Sequence, residues 1–206
     1  MGPTQAELCR ACLASSGAAG PPRSLPEPPD PLHRLWYLAD YHSSSGPGTT
    51  PLAQALLAFK YRDQRWTGRR LGALMARQAA GLPRCFDVVV PVPLHKDRLI
   101  ERGYDQAAWL ALAVAHRLGL PCPRGALRRD RATLPQAGLG KTRRQQNPAG
   151  AFSLTRTLPA HSRVLLVDDV MTTGATLAAA SRALAAGGLE RITALVLLRT
   201  GAPGPH

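Results

Sequence analysis

The segment from Arg163 to Ala186 restricts the fold more than any other part of the chain. Arg163-Val-Leu-Leu-Val-Asp168 is an apolar run that ends in an acid, and a second acid, Asp169, follows at once. Val-Met-Thr172-Thr173-Gly174 makes a short turn, and Ala175–Ala186 reads as a helix closed by Gly187-Gly188, a glycine cap that favours the left-handed conformation. A strand apolar at successive positions is buried on both faces, as in a parallel sheet.

The same alternation recurs upstream. Pro51–Tyr61 opens with Pro at a first helical position and sets Leu52, Leu56 and Phe59 on one face. Trp66–Ala80 carries Leu71, Leu74 and Met75 at helical spacing, and Phe86–Val92 reads as a short buried strand. Tyr104–Leu118 repeats the helical stripe up to Gly119, and Arg191–Leu198 is the last strand. Strands separated by helices of this length predict an α/β fold, a parallel Rossmann-like sheet with helices on both faces.

The first residues differ. Cys9-Arg-Ala-Cys12 precedes a small-residue stretch and six prolines between Pro21 and Pro31, which predicts an irregular extension or linker over 1–35. Trp36–Tyr41 reads as an edge strand, 36–200 as the main domain and 201–206 as a tail. No run approaches the ~18 apolar residues of a membrane span, and the N-terminus has no basic start or apolar stretch. A cytoplasmic protein without a membrane span is expected. Four cysteines without a regular framework do not make a disulfide scaffold.

The formal charge is +13, from 26 basic and 13 acidic residues, and all but three of the basic ones are arginine. Arginine suits bidentate phosphate recognition, which points to a polyanionic ligand. A GC-rich genome produces the same Arg, Ala, Gly and Pro bias without any selection for charge, so composition alone leaves both accounts open.

The acidic pair and its turn are more specific. Adjacent carboxylates at the C-terminal end of a parallel strand suit a vicinal diol, because ligands of such sheets bind at that end. Backbone N–H groups and the hydroxyls of Thr172, Thr173 and Thr176 at a helix N-terminus make a phosphate cradle, and Gly174 allows a close backbone approach. A phosphate beside a diol is the geometry of a ribose 5-phosphate.

This string resembles the signature of type I phosphoribosyltransferases, whose substrate is phosphoribosyl diphosphate (PRPP). The resemblance implies that Asp168 and Asp169 hold the ribose and that Thr172, Thr173, Gly174, Ala175 and Thr176 hold the 5-phosphate. Thr172 stands where hypoxanthine-type enzymes carry Asp, so a hypoxanthine-like mechanism is not expected. Val90-Pro91-Val92-Pro93-Leu94, Arg102-Gly103-Tyr104-Asp105-Gln106 and the Arg129–Gly150 stretch, in that order, resemble the ComF family over residues 36–199. Tyr104-Asp105 replaces the family's usual Phe-Asn, and no role is assigned to Asp105.

The ComF likeness implies pyrophosphate contacts from Arg98 and Arg102, with Lys96, in a basic loop. It also implies a mobile flap carrying Arg129, Arg131, Thr133, Gln136, Arg144 and Asn147, and Mg²⁺ bound with PRPP. Family members commonly begin with a zinc module of two Cys-x-x-Cys knuckles. Cys9 and Cys12 supply one knuckle, half of a tetrahedral site, so zinc is not expected here and a truncated or misassigned start is.

Three functions follow from the resemblance: transfer of phosphoribose to an unidentified acceptor, PRPP sensing without turnover, and single-stranded-DNA binding in competence alongside other competence proteins. For DNA, the seven basic residues from Lys60 to Arg84 are expected to form a backbone track. Tyr61 and Trp66 serve that track as stacking platforms or else belong to the core.

Overall fold

The computed structural model describes residues 10–43, 48–62, 64–130 and 150–200. Helix α1 (Arg10–Ser15) and the two-residue strand β1 (Arg23–Ser24) precede β2 (Arg34–Asp40). Then come α2 (Pro51–Tyr61), α3 (Arg65–Ala79), β3 (Val88–Pro91), α4 (Lys96–Arg102) and α5 (Gln106–Leu118). The short strands β4 (Leu127–Arg129) and β5 (Phe152–Leu154) lead to β6 (Arg163–Met171), α6 (Ala175–Ala186) and β7 (Arg191–Arg199).

The main sheet has the order β1-β2-β7-β6-β3. Strands β2, β7, β6 and β3 run parallel, and β1 adds an antiparallel edge. Strands β4 and β5 pair antiparallel in a separate ribbon. The expected α/β architecture is what forms, with apolar clusters on both faces of the sheet.

Alternation along the strands divides those clusters. Leu38, Val89, Leu165, Val167, Leu195 and Leu197 face one side, covered by α1, α2, α3 and α5. Leu35, Tyr37, Val90, Leu166, Ala194 and Val196 face the other, covered by α6 and the β4–β5 ribbon.

Several elements depart from the sequence expectation. The strand expected at the edge, now β2, lies inside the sheet, in parallel register with β7 from Arg34↔Thr193 to Asp40↔Arg199. Its partner is near the far end of the chain, so no local pattern reveals it. The Pro-rich extension is tied to the domain: Arg23 and Ser24 pair with Tyr37 and Trp36, and Ala18 and Leu32 are buried. The boundary expected between 35 and 36 falls within β2, while the tail at 201–206 lies outside the described residues.

Residues Lys96–Arg102 are a helix rather than a loop. The His95 side chain accepts the Asp97 N–H at its start, and Gly103 closes it at φ 74°. At the end of α6 the left-handed residue is Gly188, at φ 84°; Gly187 keeps a negative φ. Among the described residues, no helix is long and apolar enough to cross a membrane.

Candidate functional site

A cavity of about 380 Å³ opens at the C-terminal ends of β3 and β6. Both acids of the predicted pair line it, and the strand itself sets their directions. Successive residues of β6 point to opposite faces, so Asp169 follows Leu165 and Val167 toward the α2 side. Asp168 follows Val164 and Leu166 toward the α6 side. The pair thus straddles the sheet and draws partners from both layers.

On the α2 side, Lys60 Nζ lies 2.7 Å from Asp169 Oδ2, with side-chain exposures of only 15% and 11%. On the other side, Arg129 from β4 and Thr176 from α6 line the cavity beside Asp168. Asp168 keeps some exposed surface, yet protein atoms crowd its carboxyl. That burial pushes its pKa well above the usual carboxylate range; Asp169 adds to the shift, and the Asp169 N–H and Lys60 oppose it. Burial lowers the Arg129 pKa, with Asp168 acting in the opposite direction.

The predicted phosphate turn lies next to this pair. A hollow of about 20 Å³ is lined by Asp168, Met171, Thr172, Gly174 and Thr176 among others, and it shares Asp168 and Thr176 with the larger cavity. Thr172 and Thr173 are exposed, Ala175 and Thr176 half-buried. Gly174 caps α6 at φ 81° without a side-chain hydrogen bond. A Cβ on Gly174 would collide with the Pro29 ring, so the extension itself requires this glycine. The sequence reading credited only the approach of a phosphate.

Arg98 and Arg102 line the cavity as expected, on α4. Lys96 is exposed and outside the lining residues. Arg102 is held on two sides: Nη1 donates to Gln106 Oε1 at 3.1 Å and Nη2 to the Tyr61 hydroxyl at 3.2 Å. Its Nε is buried and has no hydrogen-bond partner among the described residues. Of the expected flap residues only Arg129 is described; Arg131, Thr133, Gln136, Arg144 and Asn147 lie outside the described residues, as does Cys9. Cys12 is half-buried in α1, and no cluster of metal-ligating side chains occurs among the described residues.

Residues given no site role by the sequence reading hold the walls together. The Tyr104 ring stacks on Phe59 at 5.1 Å and its hydroxyl donates to the Phe59 carbonyl, fixing the end of α2 beside Lys60. Asp105 ties the loop after β3 to the start of α5, and Gln106 supports Arg102. Lys60, expected on an exposed basic track, belongs to the cavity instead. Its position at the end of an amphipathic helix marks it as a last-turn cation and no more.

The model of the phosphoribosyl transferase domain matches residues 105–205. Competence protein F of Haemophilus influenzae is 35% identical over 156 residues, covering 72% of this chain and 68% of that protein. DNA utilization protein YhgH of Salmonella typhi is 33% identical over 202 residues, covering 94% and 84%. YhgH of Escherichia coli K12 is 33% identical over 204 residues, covering 96% and 86%. With its parallel sheet, acidic pair and adjoining turn, the chain belongs to the ComF family and carries a phosphoribosyltransferase domain.

Proposed function

We propose that the cavity binds PRPP together with Mg²⁺ and that the protein transfers its phosphoribosyl group to an acceptor. In this reading Asp168 and Asp169 accept hydrogen bonds from the ribose hydroxyls, and the Thr172–Thr176 turn takes the 5-phosphate. Arg98 and Arg102 take the diphosphate. The single observation that carries the reading is the straddling acid pair beside the N-terminus of α6, where the N-cap residue Gly174 supplies no side-chain hydrogen bond.

The donor set fits Mg²⁺. That ion is usually held by one or two carboxylates plus substrate phosphates, and Asp168 and Asp169 supply carboxylates of that kind. The buried Arg102 Nε–H, without a hydrogen-bond partner among the described residues, suits a diphosphate oxygen. When bound with PRPP, Mg²⁺ neutralises part of the charge on the departing diphosphate.

In the transfer, the bond from C1 to the diphosphate oxygen breaks and its electron pair leaves with the diphosphate. The acceptor's lone pair forms the new bond on the opposite face of C1, and the acceptor gives up its proton. Arg98 and Arg102 stabilise the charge that develops on the leaving group. Asp168 and Asp169 keep the ring oriented while C1 acquires positive character. Isothermal titration with PRPP and Mg²⁺ tests the binding: one site per chain is expected, and no heat of binding overturns the reading. Release of diphosphate on adding an acceptor distinguishes a transferase from a PRPP sensor.

A DNA-handling role is a second reading, supported by one surface. Tyr61 and Trp66 are 64% and 49% exposed, so they are not core residues. The Arg70 guanidinium lies 3.7 Å from the Trp66 ring centroid and that of Arg102 5.0 Å from Tyr61. Aromatic faces alternating with arginine suit single-stranded nucleic acid. The names of the relatives agree with a part in competence or DNA utilization.

A further inference from the structure

Lys60 and the ribose compete for the Asp169 carboxylate. In the structure the Asp169 Oδ2 atom is engaged by the Lys60 ammonium at 2.7 Å. In the function proposed above, on which this inference rests, the same carboxylate accepts a ribose hydroxyl. A diol or cation that takes both carboxylate oxygens meets the ammonium at Oδ2 and competes with it for that atom.

Where a displaced ammonium goes is set by its surroundings. The backbone beneath it is fixed, because Phe59 is fully buried and its carbonyl is held by the Tyr104 hydroxyl. Motion is left to the four-carbon side chain, which has three rotatable donors at its tip. A lysine side chain only 15% exposed is costly to leave without an anion. Of the other carboxylates, Asp168 accepts the Asp169 N–H at 2.8 Å through Oδ1 and is itself claimed by the ribose in the function proposed above, and Asp105 accepts a backbone N–H on each of its oxygens. The remaining charged groups lining the cavity are Arg98, Arg102 and Arg129, which repel it, and Asp97, which lies 3.2 Å from His95. A new anion has to come with the ligand.

We propose that Lys60 is an exchangeable counter-ion. It pairs with Asp169 when the cavity is empty and with a phosphate oxygen of the ligand when the cavity is filled. The acid pair then becomes open to the ribose, and to a divalent cation, only in the presence of an anionic ligand. A neutral sugar or a free cation would have to displace a mostly buried ammonium that has nowhere to go. Lys60 lies outside the span matched by the phosphoribosyl transferase domain model, so that domain signature does not contain it.

The test uses two ligands for which the proposal predicts opposite changes. Mn²⁺ alone is titrated by electron paramagnetic resonance, and PRPP with Mg²⁺ by calorimetry, on the full chain and its Lys60→Met variant. Lys60→Gln repeats both titrations with a neutral polar side chain. The variants are expected to bind Mn²⁺ alone at least ten-fold more tightly and PRPP with Mg²⁺ at least ten-fold more weakly. A merely structural lysine predicts that both affinities fall together. That result, unchanged Mn²⁺ binding, or loss of cooperative melting in both variants overturns the proposal. If the unmodified chain binds no PRPP, the reading of the site fails, while the Mn²⁺ titration still reports separately on whether Lys60 guards the acid pair.

Discussion

Asp105 Oδ2 accepts the Leu94 N–H at 3.0 Å while its Oδ1 accepts the Ala108 N–H at the same distance. One carboxylate thus caps α5 and holds the loop that forms a wall of the cavity. The arrangement has a cost: burial raises the Asp105 pKa, and the charge of Asp169 adds to the rise while the backbone donors oppose it.

The pH dependence of Asp105→Asn reports that cost. A carboxyl whose pKa is raised by folding loses stability as pH climbs from its unfolded value, near 3.8, through its folded value. The asparagine variant lacks this loss; its one oxygen can keep the Ala108 cap but not the Leu94 bond as well, a deficit that does not vary with pH. Its melting temperature relative to wild type is expected to rise between pH 4 and the raised pKa and then level off. A deficit that widens with pH would show the charge to be stabilising. Asp105→Ala removes the cap as well and is expected to cost about 1 kcal/mol.

Gly174→Ala tests the contact between the extension and the turn. The φ of 81° alone disfavours alanine by about 1–2 kcal/mol, and the added methyl would meet Pro29. A fall in stability of at least that size is expected in denaturant titration, together with earlier proteolysis within the segment preceding β2. A variant as stable as wild type would mean that Pro29 does not pack there in solution.

Thr176 lines both the cavity and the adjoining hollow. Thr176→Ala removes one hydroxyl from a cradle otherwise built from backbone and other side chains. A net loss of about 0.5–1.5 kcal/mol of PRPP binding is expected by calorimetry, with the circular dichroism spectrum unchanged. Unaltered affinity would remove Thr176 from the site.

The arginine–aromatic surface predicts salt-dependent binding of single-stranded DNA. About five phosphate contacts give a log–log slope near −3.5, largely independent of sequence. Replacing Arg65, Arg69 and Arg70 with Ala is expected to reduce the slope and leave the PRPP response intact. Titration of a labelled oligonucleotide at several salt concentrations, beside an equally basic control protein, measures this. Binding no tighter than the control would assign the charge to composition alone.

What the sequence revealed and what it hid have the same physical division. Helices α2 and α6 were legible to the residue, because Pro51, the apolar spacing and the closing glycines are local signals. The acid pair was legible because a buried strand and a glycine turn frame it. Helix α4 was not, since Lys96–Arg102 has no buried face and is held by its caps. Asp105 was given no role, and its bond to Leu94 depends on how α5 meets β3. Lys60 and Asp169 meet only through packing of α2 across β6, which no spacing in the sequence records.

The central claim is that Asp168 and Asp169 bind the ribose of PRPP, and the thermal shift of one double variant tests it most directly. With PRPP and Mg²⁺ at 100 times the dissociation constant, the unmodified chain is expected to gain about 2.7 kcal/mol of stability. Asp168→Asn combined with Asp169→Asn is expected to fold and to lose that gain, because each charge-assisted hydrogen bond is worth about 1.5–3 kcal/mol. Equal shifts in the two proteins would contradict the assignment.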